Sequence, residues 1–271
     1  MNAEDRARLD QALPQRGLAR SRSHAAELIA AGLVRVDGRP VSKASFRVPA
    51  EARIEVDGGD HYVSRAAHKL LAGLDAFGLD VTGRLCLDVG ASTGGFTQVL
   101  LEREALEVLA IDVGHGQLSP LLEADPRVRL AEGFNARNMT PETLAAATGQ
   151  AASPTLVVGD LSFISLPLVL PALVASAAEG ADFVLLIKPQ FEVGRTGIRE
   201  GIVHDPDRRA DAVAGVLWAA WDLGLGTCGL IESPIAGGNG NREYVAHLRA
   251  AHGENPSSWR DTVNELTRGT A

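Results

Sequence analysis

The chain contains very little cysteine. Only two of its 271 residues are cysteines, Cys86 and Cys228, and each lies within an apolar run that is typical of a strand. Two isolated thiols provide neither a disulfide framework nor the paired spacing of a metal site. We therefore interpret both as buried structural thiols and expect no bound metal.

Long apolar runs are also absent. The chain begins M-N-A-E-D-R-A-R, which lacks the apolar core of a secretory leader. The longest apolar region, Thr155 to Ile187, is interrupted by charged residues and prolines at positions 160, 167, 171, 179 and 182. Because a membrane-spanning helix needs about 18 or more apolar residues in succession, we expect no membrane partner and a cytoplasmic protein.

Aromatic residues make up only 4% of the chain, whereas hydrophobic residues make up 45%. The core must therefore consist largely of Leu, Val, Ile and Ala. The net charge of −8 taken alone argues against a nucleic-acid partner, but the charge is unevenly distributed. Residues 1–60 hold ten Lys/Arg against nine Asp/Glu, while the remainder holds 16 against 25. The amino-terminal part is thus the region where a basic face can form.

Residues 1–60 have the pattern of a small α+β module. Two segments of helical apolar spacing precede short strands around a tight Asp37-Gly38 turn. The predicted helices are Arg6 to Leu13 and Ser23 to Ala31, and the predicted strands are Leu33 to Val36, Pro40-Val41 and Arg53 to Val56.

Three motifs in this module resemble the RNA-binding fold named after small-subunit ribosomal protein S4. They are R-L-D from Arg8, S-R-x-x-A-x-x-L-I-x-x-G from Ser21, and V-x-V-D-G-R-P-V from Val34. The resemblance implies that the second helix and the loop after it contact RNA phosphates. The residues implicated in RNA binding are Arg16, Arg20, Arg22, Lys43 and Arg65. A helical lid or a dimerisation unit is the alternative interpretation.

After a linker at 61–64, residues 65–271 show alternating helix and strand signals. A helix from Arg65 to Phe77 ends at Gly78, and five apolar strands follow with helices between them. This is the pattern of a parallel sheet covered on both faces, and a terminal antiparallel pair of strands raises the predicted number to seven. The strands are predicted near 85–89, 107–111, 128–131, 155–159, 182–187, 226–232 and 243–248, with a loop at 190–205, a helix at 206–223 and a short helix within 256–271.

The run L-C-L-D-V-G-A-S-T-G-G-F, Leu85 to Phe96, is typical of a strand, a glycine-rich turn and a helix. Glycine lets the backbone approach a ligand closely, and the first turn of a helix offers it unpaired N–H groups. The next strand ends at Asp112, where a carboxylate can bind both hydroxyls of a ribose. Asp88 or Asp112 alone fits a solvated strand end or a helix cap equally well, but together they favour a nucleoside ligand.

This order resembles the S-adenosylmethionine-binding fold of class I methyltransferases, from about Leu85 to Leu248. The resemblance implies S-adenosyl-L-methionine as the cofactor, with Asp88 beside its amino acid end and Phe134 against its adenine. A spacing other than G-x-G-x-x-G argues against a dinucleotide. The predicted cofactor-binding residues are Asp88, Gly90, Ala91, Ser92, Thr93, Gly94, Gly95, Phe96, Asp112, Phe134, Asn135 and Asp160. An ordinary loop is the alternative for Phe134 and Asn135.

Charged residues flank three further strands. Asp160 follows the fourth strand, Lys188 follows the fifth, and Glu243 starts the last one. Because the last strand is antiparallel, all three should meet at the carboxyl edge of the sheet. A lysine at the end of a buried strand is unusual, since its ammonium needs a partner. A structural ion pair between Lys188 and Asp160 is the alternative interpretation.

With Lys69, from the helix before the first strand, these residues resemble the Lys-Asp-Lys-Glu tetrad of FtsJ-type ribose 2′-O-methyltransferases. When the amino-terminal module and the Y-V-S-R join from Tyr62 are included, nearly the whole chain is similar to the TlyA family of hemolysin-named rRNA methyltransferases. Many relatives have a glycine pair where this chain has Ala66-Ala67, which puts the local backbone path in question.

The resemblance implies methyl transfer to the ribose of cytidine in 16S and/or 23S rRNA within ribosomal subunits. It makes Lys69, Asp160, Lys188 and Glu243 the catalytic group, with Lys188 as the base that removes the proton of the 2′-hydroxyl. Two alternative functions remain. One is a membrane-active hemolysin, and the other is a non-catalytic RNA-binding protein with a cofactor pocket.

Overall fold

A computed structural model describes residues 6–19, 21–56, 61–194 and 198–269 of the chain. The chain divides into two compact units, Met1–Arg65 and Ala66–Ala271. Within the described residues, the smaller unit has two helices and two small sheets, and the larger unit has one seven-stranded sheet flanked by helices.

The smaller unit is built from short elements around an apolar centre of Leu9, Leu13, Ile29, Val34 and Val48. β1 pairs with β4, and β2 lies between β3 and β5, all antiparallel. These elements are β1 (Arg6–Arg8), α1 (Leu9–Gln15), α2 (Arg22–Ala30), β2 (Val34–Val36), β3 (Arg39–Pro40), β4 (Arg47–Pro49) and β5 (Ile54–Val56). The predicted helix at Ser23 to Ala31 and the predicted hairpin are present within one or two residues of their bounds.

The predicted helix from Arg6 to Leu13 is wrong at its start, because Arg6–Arg8 forms β1. Its partner β4 lies about 40 residues away in sequence, and the prediction missed β4 as well. Only Val48 of that strand is buried, so alternation cannot reveal it. The N–H of Leu9 donates to the carbonyl of Phe46 at 2.7 Å, which shows that a non-local partner fixes where α1 begins.

The larger unit contains the predicted seven-stranded sheet. Its strands are β6 (Leu85–Val89), β7 (Glu107–Ile111), β8 (Val128–Ala131), β9 (Leu156–Gly159), β10 (Asp182–Ile187), β11 (Leu225–Glu232) and β12 (Tyr244–Ala250). Its helices are α3 (Ala67–Phe77), α4 (Gly95–Glu102), α5 (Pro120–Glu123), α6 (Pro141–Thr148), α7 (Leu170–Ser176), α8 (Pro189–Glu192), α9 (Pro206–Asp222) and α10 (Arg260–Arg268).

The strand order is β11-β12-β10-β9-β6-β7-β8, in which β6 to β10 are parallel and β12 is antiparallel to both its neighbours. This confirms the predicted α/β fold. The chain runs outward from β6 in one direction through β7 and β8, and then returns to its other side at β9. Open α/β sheets bind ligands outside the carboxyl ends of the strands at such a reversal, so the region above β6 and β9 is where a site is expected.

One segment of the larger unit differs from its prediction. The segment predicted as a loop at 190–205 begins inside a short helix, α8, whose first residue Pro189 supplies a φ suited to a helix start. The short helix predicted within 256–271 is present as α10, and a 3₁₀ turn, Pro256–Trp259, precedes it. Cys86 is buried as predicted, and burial raises the pKa of its thiol to about 12, whereas Cys228 is only half-buried.

The core of the larger unit is made mainly of Leu, Val, Ile and Ala side chains, as the composition predicts. Phe96, Phe183 and Tyr244 are large aromatic residues buried in this unit. Among the described residues, no helix has the length and apolar character that crossing a bilayer requires.

Candidate active site

Four charged side chains meet at the carboxyl edge of the central sheet. Asp160 directly follows β9 and Lys188 directly follows β10, so both leave the sheet at the same edge. Glu243 directly precedes β12, whose antiparallel pairing with β10 brings its start to that edge. Lys69 lies in α3, which packs against the sheet. The structure thus brings together the four residues predicted as the catalytic group.

These four residues, called here the charged cluster, form a chain of ion pairs. Lys69 Nζ lies 2.6 Å from Glu243 Oε2 and 3.4 Å from Asp160 Oδ2. Lys188 Nζ lies 2.6 Å from Asp160 Oδ1. The Asp160 carboxylate therefore lies between the two ammonium groups, and the Glu243 carboxylate binds one of them.

The side chains of the charged cluster are between 3% and 15% exposed. Desolvation of a charge is so unfavourable that buried charged groups occur only with partners. Here two ammonium groups face two carboxylates, so the cluster is balanced. An isolated Lys188–Asp160 ion pair describes one of these contacts, but it does not explain why Lys69 and Glu243 lie at the same place.

Two polar neighbours extend the cluster. Lys188 Nζ donates to Ser162 Oγ at 2.8 Å, and Gln190 Nε2 donates to Glu243 Oε1 at 3.2 Å. Neither residue was predicted as part of the site. Each stands two positions after a charged residue that was predicted, in D-L-S and K-P-Q, and a search of the positions next to the strand ends would have found them.

An exposed aromatic side chain stands next to the cluster. Phe163 is 91% exposed and has a φ of 63°, in the left-handed region that a bulky residue rarely adopts. Its ring centroid lies 5.2 Å from that of Phe191, and the Phe191 centroid lies 5.9 Å from Lys188 Nζ. Backbone strain of this kind persists only where the surrounding structure holds the residue in place.

A cavity of about 530 Å³ opens above β6 and β9, beside the cluster. Six of the predicted cofactor-binding residues line it: Gly90, Ser92, Asp112, Phe134, Asn135 and Asp160. Asp160 and Ser162 belong both to the cavity wall and to the contacts of Lys188. The cavity and the charged cluster therefore share a wall.

Asp112 lies at the cavity wall as an ordered carboxylate. Its Oδ2 accepts the N–H of Ser92 at 2.8 Å, and its Oδ1 accepts the N–H of Gly114 at 2.7 Å. Each carboxylate oxygen can accept a further bond. Asp112 can thus fix the turn and bind ligand hydroxyls at the same time.

The glycine-rich turn has the backbone that the sequence predicts. Gly90 and Gly94 have φ values of 81° and 97°, and Ser92 adopts 48°. A Cβ at Gly90 would lie 3.2 Å from Leu161 Cδ2, so the absence of a side chain keeps this wall close to the loop after β9. A Cβ at Gly94 would instead collide with Leu118 and Leu122, which makes Gly94 a packing residue.

The other predicted cofactor residues of this turn do not line the cavity. They are Asp88, Ala91, Thr93, Gly94, Gly95 and Phe96, as judged from the described part of the chain. Asp88 is fully buried within β6, and its Oδ2 accepts the Thr97 hydroxyl at 2.6 Å. Burial raises the pKa of Asp88 to about 7, against the opposing effect of the Thr97 bond. The sequence of a strand does not show which of its acidic side chains is exposed. The motif alone therefore could not predict that Asp112 lines the cavity and Asp88 does not.

In the smaller unit, the predicted RNA-binding residues have different surroundings. Arg16 donates to the backbone carbonyls of its own unit, at Pro49, Ala50 and Ala52, which favours a structural role. Arg22 is largely exposed and is held by Asp10. Lys43 and Arg65 are exposed, and Arg20 lies outside the described residues.

Asp10 is a second carboxylate shared by two cations. Arg8 Nε lies 2.9 Å from its Oδ1, and Arg22 Nε lies 2.9 Å from its Oδ2. The bond from Arg8, followed by that from Arg22, lowers the pKa of Asp10 to about 2. The Asp10 side chain is 6% exposed, whereas those of Arg8 and Arg22 are 34% and 59% exposed. The arrangement holds two guanidinium groups at the surface of this unit.

Within the described ranges, no three His, Cys, Asp or Glu side chains are grouped so that they could hold a metal ion.

Comparison with known proteins gives one consistent result. Residues 62–250 match the model of the FtsJ-like methyltransferases, and residues 7–54 match that of the S4 domain. The chain is 51% identical over 247 residues to the 16S/23S rRNA (cytidine-2′-O)-methyltransferase TlyA of Mycobacterium tuberculosis, with 90% of each chain covered. It is 38% identical to Hemolysin A of Brachyspira hyodysenteriae, over 89% of this chain and 99% of the other.

A solved structure supports the same assignment. A protein of Streptococcus thermophilus with a hemolysin name is 36% identical and superposes with a TM-score of 0.72, covering 98% of this chain and 97% of its own. With both family models matched and relatives of this identity and coverage, the chain belongs to the FtsJ-like methyltransferases and, within them, to the TlyA family.

Proposed function

We propose that this protein is an S-adenosylmethionine-dependent rRNA methyltransferase that methylates the ribose 2′-hydroxyl of cytidine in 16S and/or 23S rRNA. The relative's name supplies the substrate class. The observation that carries the proposal is the position of Asp160, which lines the cavity and pairs with both lysines of the charged cluster. A protein that only binds RNA needs no such cluster beside a nucleoside-sized cavity.

The cavity fits the cofactor that the family implies. Its volume of about 530 Å³ lies within the range of small-molecule sites. Asp112 can accept the two hydroxyls of a ribose, Phe134 offers an apolar wall for an adenine, and Gly90 leaves room beside the loop after β9. We propose that these three residues hold the cofactor.

The chemistry requires a proton acceptor at the acceptor ribose. A 2′-hydroxyl is a weak nucleophile at neutral pH, so its proton must leave as its oxygen attacks. When bound, S-adenosylmethionine supplies an electrophilic methyl group. For Lys188 to take the hydroxyl proton on Nζ, its ammonium must first release a proton to solvent, and Asp160 and Ser162 fix the direction of that nitrogen. Lys69, tied to Glu243, holds Asp160 from its other side.

The smaller unit supplies the RNA contact in this proposal. Arg8 and Arg22 present guanidinium groups that a buried Asp10 orients, and Lys43 and Arg65 add exposed charge. Phosphate contacts of this kind position an enzyme on RNA without reading sequence. A cytoplasmic location, where ribosomal subunits are found, follows from the same proposal.

The proposal is tested by incubating the protein with isolated 30S and 50S subunits and methyl-labelled S-adenosylmethionine. A 2′-O-methyl group blocks alkaline cleavage of the adjacent phosphodiester, so the expected label lies in alkali-resistant dinucleotides that begin with cytidine. Label on a base, or no transfer to either subunit or to its free rRNA, contradicts the proposed reaction.

Cofactor binding is tested separately by calorimetry. Asp112→Ala should weaken binding by about 1–3 kcal/mol, the scale of a hydrogen bond to a charged partner. Asp112→Asn, which keeps one acceptor, should lose less, and Asp207→Ala, at an exposed carboxylate remote from the cavity lining, should lose nothing. Equal affinity of Asp112→Ala and the unaltered protein would remove Asp112 from the proposed pocket.

A further inference from the structure

The single helical turn after Lys188 contacts three different parts of the site. In α8, Gln190 bonds to Glu243 of the charged cluster, and the ring of Phe191 packs against that of Phe163. The last residue of α8, Glu192, reaches the far end of the loop that begins at Asp160. Neither the resemblance nor the motifs assign a role to this glutamate.

Glu192 uses both carboxylate oxygens on that loop. Its Oε2 accepts the Ser165 hydroxyl at 2.6 Å, and its Oε1 accepts the N–H of Leu166 at 2.9 Å. Leu166 is the first residue of the 3₁₀ turn Leu166–Leu168, and Ser165 precedes that turn without capping it through its own side chain. The carboxylate therefore supplies an acceptor for an N–H that a helix start leaves unpaired.

Glu192 makes these two bonds although its carboxylate loses part of its contact with water. Glu192 is half-buried, and burial raises the pKa of its carboxyl above the ordinary value, while the bonds from Leu166 and Ser165 act in the opposite direction. A glutamate that only covered the surface would turn its oxygens to water. Here they turn inward to two donors on a neighbouring loop.

The loop between Asp160 and Leu166 carries Ser162, which bonds to Lys188, and Phe163, which has a strained backbone. Its first end is fixed by β9, and the N–H of Asp160 donates to the carbonyl of Val89 at 3.3 Å. Its second end is fixed by Glu192. Since Glu192 stands four residues after Lys188, it ties the loop of Ser162 to the segment that carries Lys188.

We propose that Glu192 is a positioning residue that sets the distance between Lys188 and the loop carrying Asp160 and Ser162. Glu192 is not among the described residues that line the cavity, and it acts through its bonds to Ser165 and Leu166. The expected effect of Glu192 on rate rests on the proposed methyl transfer, whereas its expected effect on the loop does not. A misplacement of about 1 Å in a reacting group can lower a rate about hundredfold.

The test compares Glu192→Ala with Glu192→Gln. The amide of glutamine can accept from the N–H of Leu166 through its oxygen and donate to the Ser165 hydroxyl through its nitrogen, so both links survive. At saturating rRNA and cofactor, we expect Glu192→Ala to lower the single-turnover rate constant by about ten- to hundredfold and Glu192→Gln to remain close to the unaltered protein. The dissociation constant for S-adenosylmethionine should not change in either variant. Glu179→Ala, at an exposed glutamate, is the matched control.

A second measurement follows the loop itself. Amide hydrogen exchange of Leu166 should accelerate in Glu192→Ala and stay slow in Glu192→Gln, at a temperature where circular dichroism shows every variant fully folded. Unchanged exchange in Glu192→Ala overturns the proposal whether or not the protein transfers methyl groups. An unchanged rate in Glu192→Ala, or an equal loss in Glu192→Gln, also overturns it. A slow Leu166 amide in an unaltered protein that fails to methylate rRNA counts against the proposed function alone.

Discussion

The two units of the chain each contain a carboxylate that lies between two cations, and the surroundings of the two carboxylates differ. Asp10 joins Arg8 and Arg22, whose side chains are 34% and 59% exposed. Asp160 joins Lys69 and Lys188, whose side chains are 10% and 8% exposed. In both cases the anion is well covered, so it is the exposure of the cations that distinguishes the two sites.

This difference in the exposure of the cations fits the two proposed roles, which are RNA binding for the smaller unit and catalysis for the larger one. An exposed guanidinium can contact a phosphate without leaving its carboxylate, because its five N–H donors point in several directions. A buried ammonium has no such freedom, and it can meet only a group that enters the cavity beside it. The same arrangement of charges therefore suits a docking surface in one unit and a proton acceptor in the other.

The largest effect should come from removing a buried cation. Lys188→Ala should lower the single-turnover rate by about a thousandfold or more, since general-base catalysis and orientation are lost together. The affinity for S-adenosylmethionine should stay close to that of the unaltered protein, because Lys188 is not part of the cavity lining. Quenched-flow methylation of rRNA and calorimetry measure the two quantities.

Arg103→Ala is the control for that variant, because it removes an exposed cation from an ion pair with Asp75. A Lys188→Ala protein with the single-turnover rate of the unaltered chain would contradict the role of Lys188 as base. Equal losses in Lys69→Ala, Lys188→Ala and the double variant would show that the cluster acts as one unit, as expected for cooperating groups.

Asp88 offers a third carboxylate, whose bond comes from the neutral hydroxyl of Thr97. Burial raises the pKa of Asp88 to about 7, whereas an aspartate in an unfolded chain has a pKa of about 3.9. The stability that this group contributes is fully present below its unfolded-state pKa and is lost as pH rises through its folded-state pKa. Titration of Asp88 should therefore lower the free energy of unfolding of the unaltered protein as pH rises from about 5 to about 8. Asp88→Asn removes this titration, so its free energy of unfolding should fall by about 1–3 kcal/mol less over the same range.

Urea unfolding at the two pH values measures this difference. Asp222→Asn, at an exposed carboxylate of α9, should leave the pH dependence as it is in the unaltered protein. If Asp88→Asn has the same pH dependence as the unaltered protein, then Asp88 is ionised in the folded state across this range.

Three strands of the larger unit, β7, β9 and β10, were predictable because each is a largely apolar run followed directly by a charged residue. The convergence of Asp160, Lys188 and Glu243 followed from strand direction alone, since parallel strands end at one edge. Which carboxylate each lysine approaches did not follow, because that depends on where α3 places Lys69. Asp88 shows the same limit, since a strand position does not tell whether a side chain reaches the cavity.

The smaller unit was harder to predict for a physical reason. Its strands are two or three residues long, and β1 pairs with a distant segment, so local periodicity carries little information. Arg16 has the charge expected of an RNA contact, yet its donors reach the backbone of Pro49 and Ala50. The sequence shows which side chains are cationic, but only tertiary packing shows which of them remain available.

A smaller effect should follow from removing the anion of the exposed site. Asp10→Ala removes a negative charge, so a simple Coulomb argument predicts tighter RNA binding. We expect weaker binding instead, by about 1 kcal/mol, because two arginines lose the partner that orders them before binding. Filter binding to an rRNA fragment, with circular dichroism to confirm the fold, gives the sign. Tighter binding by Asp10→Ala would show that Asp10 does not organise the RNA contact.

The smallest effect concerns a single exposed cation. Arg22→Ala should weaken RNA binding modestly and reduce the slope of log affinity against log salt by about 0.7–0.9, the value for one lost phosphate contact. Lys43→Ala should act in the same way, whereas Arg103→Ala should leave the slope unchanged, because Arg103 lies in the larger unit, outside the proposed RNA contact. Binding measured across a series of potassium chloride concentrations gives these slopes. An unchanged slope in both Arg22→Ala and Lys43→Ala would mean that these exposed cations of the smaller unit do not contact RNA phosphates. The comparison between exposed and buried cations would then give a function only to the buried lysines of the charged cluster.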